Sequence, residues 1–122
     1  MGKDGFKVLS PTAILGYGFP EISFRNGLAK DPDLIAVDAG STDPGPYYLG
    51  AGKSFTSRLA VKRDLALMLN AALERSIPLI VGSAGGAGAR PHVEWLLAIM
   101  KEVAQEERFP FRAAAVYADI SR

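Results

Sequence analysis

Two short runs hold the residue types that can do chemistry. In Asp38-Ala39-Gly40-Ser41-Thr42-Asp43-Pro44, two carboxylates flank two hydroxyls directly after an apolar stretch. A carboxylate placed so can serve as a general base, or Asp38 and Asp43 together can hold a divalent cation. The competing reading of Asp38 is an Asx-type turn that satisfies loop backbone. Ser41 and Thr42 suit hydrogen bonds to a ligand or to backbone rather than nucleophilic attack. The second run is Gly82-Ser83-Ala84-Gly85-Gly86-Ala87-Gly88, and Arg90-Pro91-His92 follows it. Glycines there let backbone N–H groups approach a carboxylate or phosphate at the start of the next helix, with Ser83, Gly85 and Gly86 as contacts. The alternative is that small residues merely permit tight packing. His92, the single imidazole, would orient a substrate or exchange a proton, or else cap the helix. Lys53 and Ser10 complete the candidate contacts to an anionic substrate.

The elements that must position these groups alternate between strand and helix. Apolar runs at 6–9, 34–38, 78–81 and 112–118 read as strands. They are continuous rather than alternating, as in parallel strands covered on both faces. A short helix is expected over 21–30, begun at Pro20 and weakened by Gly27. The clearest helix spans 58–75, with Ser57 as N-cap and Val61, Leu65, Met68, Leu69, Ala72 and Leu73 on one stripe. Another spans 91–107, with Val93, Leu96, Leu97, Met100 and Val103 inward. The Gly-, Pro- and Tyr-rich segment 40–57 reads as a long functional loop. The expected fold is a single α/β domain over 1–122: a Rossmann-like three-layer sandwich on a mostly parallel four-stranded sheet. Its last strand has no covering helix, which marks it as part of a larger domain. Both functional runs would then lie at the carboxyl edge of the sheet, where open α/β sheets bind ligands.

Composition removes several classes. A net charge of +1 with interspersed signs leaves no basic footprint for nucleic acid and no polybasic membrane patch. The absence of cysteine excludes disulfides, thiolate metal sites and a thiol nucleophile. No apolar run reaches bilayer length, and Met1 to Gly5 leads only into a short apolar patch, so a soluble cytoplasmic protein is expected. Gly50-Ala51-Gly52-Lys53-Ser54 looks like the end of a phosphate-binding P-loop, but that pattern needs glycine where Tyr47 stands. A flexible loop is the better reading. Tyr17, Tyr47 and Tyr48 would wall a pocket or fill an oligomer interface.

A longer likeness rests on Val8-Leu9-Ser10-Pro11-Thr12, Gly16-Tyr17-Gly18-Phe19-Pro20, the run from Val37-Asp38-Ala39-Gly40 through Pro46-Tyr47-Tyr48-Leu49-Gly50, and Gly82-Ser83-Ala84-Gly85-Gly86. In these the chain resembles the N-terminal part of the acyclic terpene utilisation AtuA family of bacterial proteins. The resemblance implies a cytoplasmic catabolic protein, several times longer, whose pathway intermediates are acyl-CoA thioesters. With the residues above, the expectation is an acid/base enzyme of lyase or hydratase type acting on a carboxylate or a coenzyme A thioester. The contrasting expectation is a non-catalytic binding module with a structural glycine loop, working as a homo-oligomer or completed by further sequence.

Overall fold

The computed structural model describes residues 5–121; the Met1-Gly2 start and Arg122 lie outside the described residues. The order is β1 (Val8–Leu9), α1 (Glu21–Leu28), β2 (Leu34–Asp38), α2 (Gly45–Ala51), α3 (Arg58–Arg75), β3 (Leu79–Gly82) and α4 (Arg90–Glu107). A single 3-10 turn, Ala84–Gly86, sits between β3 and α4. The strands are parallel and lie in sequence order, β1-β2-β3. The protein is therefore α/β with a parallel sheet.

Adding parallel strands in one direction through right-handed crossovers places every crossover helix on the same face. The register shows the result. Leu9, Ile35 and Leu79 align across the sheet, and Val37 aligns with Val81. Ile35 and Val37 are buried in a core shared with Phe24 and Leu28 of α1, Leu65 and Met68 of α3, and Leu96 and Ile99 of α4. Gly27 lets α1 press onto β1, because a Cβ there would stand 2.6 Å from Leu9 Cδ1. On the opposite face, Val8 and Ile80 are each 54% exposed. The expected three-layer sandwich is thus two layers among the described residues, one helical layer on a three-stranded sheet.

The expected fourth strand does not form. Among the described residues, 112–118 belong to no sheet, and their one backbone bond to backbone is Ala118 N–H to the Gly88 carbonyl, 2.9 Å. Ala113-Ala114-Ala115 offers little side chain to pack on a pleated surface, which is why alanine is depleted in strands. The long loop also needs correction, since α2 lies inside it. Pro46 suits its first turn, and Gly52 ends it in the left-handed conformation at φ 65°. That helix buries none of its residues, so no apolar periodicity announced it. The α3 stripe behaves as expected except for Leu73, which is exposed, and Ser57 Oγ accepts the Ala60 N–H as an N-cap at 3.5 Å.

Candidate functional site

The two runs meet at the carboxyl edge of the sheet. Asp38 pairs with Gly82 as the last step of the β2–β3 ladder, and the Ala39 N–H reaches the Gly82 carbonyl at 2.9 Å. Gly40 then lies so close to the second loop that a Cβ on it would be 2.7 Å from Ser83 Cβ and 2.9 Å from the Gly86 carbonyl oxygen. The glycine is required by that approach. Asp38 itself is exposed, and its Oδ1 accepts the Gly40 N–H at 2.9 Å. The Asx turn is therefore real, and it occupies one carboxylate oxygen, leaving Oδ2 for other partners. Ser41 is half-buried, while Thr42, Asp43 and Ser83 are exposed. Ser83 stands in the left-handed region at φ 47°, a conformation unusual for a residue with a Cβ. Ser10 is not level with this group. β1 stops opposite Ile35, and the Ser10 hydroxyl donates to the Thr12 carbonyl at 3.3 Å.

A third loop closes over the first two. Gly86 faces Phe55 and Ser54, each within 4.0 Å of where its Cβ would be. Phe55 stacks edgewise on Tyr17 and tilts against Tyr48, with centroids 6.4 and 5.7 Å apart. Lys53 is exposed beside this aromatic wall. The P-loop likeness ends here. Gly50 and Ala51 finish α2, and the Gly52 and Lys53 N–H groups are bonded to the Leu49 and Tyr48 carbonyls at 3.3 and 3.2 Å. They are not turned outward to cradle a phosphate.

His92 is 1% exposed. Its Nε2 lies 3.1 Å from the Tyr48 carbonyl oxygen and 3.2 Å from that of Lys53. Both partners are acceptors, so Nε2 carries the proton and ties α4 to the end of α2. Nδ1 is buried without a hydrogen-bond partner among the described residues. The backbone of His92 also explains Gly85, since a Cβ at Gly85 would collide with the His92 carbonyl and Gly85 has φ 71°. Here the glycine turn serves packing. The end of α4 is occupied as well. The Arg90 N–H donates to Asp119 Oδ2 at 2.9 Å, and the Arg90 guanidinium covers the Tyr117 ring at 4.3 Å. An internal carboxylate thus stands where a ligand anion was expected.

Sequence reasoning passed over one group. Asp64, on α3, is 0% exposed. Its Oδ2 accepts the Gly16 and Gly18 N–H groups at 2.9 and 3.1 Å, and Arg63 donates to its Oδ1 at 2.9 Å. The sequence signal was its spacing: Asp64 lies three residues after Val61 and four before Met68, on the apolar stripe of α3, though beside Lys62 and Arg63. Such a cluster reads as a solvated helix face.

Among the described residues no group of three or more His, Asp or Glu side chains could hold a metal ion. No described helix is long and apolar enough to cross a membrane. No family model, curated protein or solved structure matches the chain.

Proposed function

We propose that this chain is a small-anion-binding domain of a catabolic acid/base enzyme, with its site at the carboxyl edge between β2 and β3. The observation that supports this reading most is the close approach of Gly40 to Ser83. It brings the Asp38 carboxylate, the Ser41 and Thr42 hydroxyls and Ser83 onto two touching loops, with Lys53 on the third. Asp38 Oδ2 would take or return a proton, Ser83 and the hydroxyls would hold a carboxylate or thioester oxygen, and Lys53 would meet the negative charge. His92 holds the wall in place rather than contacting substrate. The likeness to the AtuA family favours the same substrate class, a carboxylate or coenzyme A thioester, on a Rossmann-like domain completed by further sequence.

The test pairs ligand-induced melting shifts with one substitution. A ligand at a hundred times its dissociation constant stabilises by about 2.7 kcal/mol. Coenzyme A, short carboxylates and phosphate should be screened against the wild-type chain and Asp38→Asn. Asparagine can still accept the Gly40 N–H, so its own stability should change by no more than about 0.5 kcal/mol. The expected result is a shift that Asp38→Asn removes. A shift that survives unchanged in Asp38→Asn would take this carboxylate out of the site.

One observation favours the assembly reading beside it. A parallel sheet is ordinarily covered on both faces, yet Val8 and Ile80 share an open face and Tyr47 and Leu49 of α2 are 72% and 51% exposed. Light scattering on Ile80→Lys and on Tyr47→Ser would separate the two surfaces. Loss of a concentration-independent oligomer in either variant would locate the interface.

A further inference from the structure

The edge of β3 away from β2 is unfinished. On the β2 side, the Pro78 and Gly82 carbonyls accept from Ile35 and Ala39 at 3.1 and 2.9 Å. Successive residues of a parallel strand direct their backbone groups to alternate sides. Leu79 and Val81 therefore turn their N–H and C=O groups the other way, and neither has a backbone partner there among the described residues. Beyond that edge is a cleft of about 530 Å³. Leu73, Ile77, Val81, Leu97 and Met100 line its floor, and residues 111–116 form its outer wall.

That wall is fixed at both ends and free between them. At its start, the Phe109 N–H bonds the Ala104 carbonyl of α4 at 3.2 Å, and Phe111 leans on Phe109 with centroids 6.3 Å apart. At its far end, Ala118 holds Gly88 and Asp119 holds the Arg90 N–H, each at 2.9 Å. Between these ties Arg112 to Val116 makes no backbone hydrogen bond to backbone among the described residues, and Val116 is 88% exposed. The segment starts at the end of α4 and its far end is tied to Gly88, in the loop that follows β3, and α4 is the helix that would connect β3 to a parallel fourth strand.

We propose that residues 112–118 are a strap that closes sideways onto β3 as a fourth parallel strand, and that the open cleft is one position of that strap. Closure pairs two rows of free peptide groups and removes the apolar floor from water. A strand from another molecule would compete for the same edge at a disadvantage, because the strap is already held beside it at high effective concentration. The weak strand propensity of three successive alanines keeps the two positions close in free energy. The far tie at Ala118 and Asp119 stays in place, so α4 keeps its cap in both positions.

Amide hydrogen exchange on the full chain tests this. Every second amide between Ala113 and Val116, together with those of Leu79 and Val81, should exchange at least about tenfold more slowly than in an unstructured peptide, because alternate amides of the strap face β3. Ala114→Pro and Ala115→Pro lie at exposed positions and remove N–H groups on opposite sides of the strap; the one on the β3 side removes a strand donor and should return these amides to peptide-like rates. Peptide-like rates in the wild-type chain would overturn the proposal, and so would slow exchange that persists in both proline variants. Should neither proline variant fold, the chain's lack of cysteine allows a second measurement. Val81→Cys is paired in turn with cysteine at 113, 114, 115 and 116. A disulfide needs Cα atoms within about 4.4–6.8 Å, so ready oxidation in one pair supports closure and oxidation in none refutes it.

Discussion

Two aspartates, each set against a glycine-containing turn, have opposite amounts of hydrogen-bonding capacity left. Asp64 accepts from two backbone N–H groups and from Arg63, using both oxygens, with no exposure to solvent. Asp38 accepts one N–H from its own turn and stands exposed at the sheet edge. A carboxylate offers about four acceptor positions. Where burial and three donors use them, the group holds the fold, and a ligand would have to displace structure. Where one donor uses one oxygen in open solvent, capacity remains for a further partner. The difference shows that glycine beside aspartate does not distinguish a buried anchor from a carboxylate with an oxygen to spare; the count of satisfied oxygens does.

Asp64→Ala should produce the largest effect. It leaves the Gly16 and Gly18 N–H groups without their acceptor, and an orphaned buried donor costs about 1–3 kcal/mol. Arg63 is 43% exposed, so its freed charge is solvated and adds little. A loss of about 2–4 kcal/mol in urea unfolding is expected, large against the total stability of a small domain. A loss below about 0.5 kcal/mol, the level of an ordinary surface change, would erase the contrast with Asp38.

Gly40→Ala comes next and tests the other side. The new methyl would meet both the Ser83 side chain and the Gly86 carbonyl oxygen. Backbone cannot swing aside as a side chain can, so the loops must part. Overpacking of this kind costs about 1–3 kcal/mol. Any ligand-induced melting shift should fall with it, because the loops that gather Asp38 and Ser83 no longer touch. A variant as stable as wild type with an intact shift would show that loop contact does not build the site.

What could be read from residues alone follows the same division. The helices α3 and α4 were legible because their apolar stripes repeat at three and four residues, and β2 because a continuous apolar run stops at Asp38. The convergence of the Asp38 and Ser83 loops followed from two strand ends at one sheet edge. Asp64 was not legible, since its partners Gly16 and Gly18 are 48 and 46 residues away and the charges beside it suggest a solvated face. α2 was hidden because a helix that buries nothing carries no period. Residues 112–118 read as a strand because they are apolar, but three successive alanines carry little strand propensity, and a nearby apolar segment does not by itself fix its distance from a free strand edge.

A third carboxylate lies between these extremes and gives the smallest effect. Glu102 on α4 receives Lys62 at 2.8 Å and Arg58 at 2.6 Å from α3, while Lys62 also reaches Glu106 at 2.7 Å. Hydrogen bonds from Lys62, and then from Arg58, lower the Glu102 pKa from its ordinary 4.5. The bonds to Glu102 and then Glu106 raise that of Lys62 from 10.5. A carboxyl whose folded pKa is depressed stabilises the fold above its unfolded pKa, and that contribution is lost as pH falls through the folded value. An amine whose folded pKa is raised stabilises below its unfolded pKa and loses the contribution as pH rises through the folded value. The network should therefore support the α3–α4 contact across neutral pH and fade at both ends. Glu102→Gln should reduce the loss of melting temperature below pH 4.5, and added salt should mimic much of the substitution, because exposed charges are screened. An acid limb unchanged by Glu102→Gln would mean that solvent, rather than the helix pair, satisfies this carboxylate, leaving Asp64 as the acid that ties α3 to the rest of the fold.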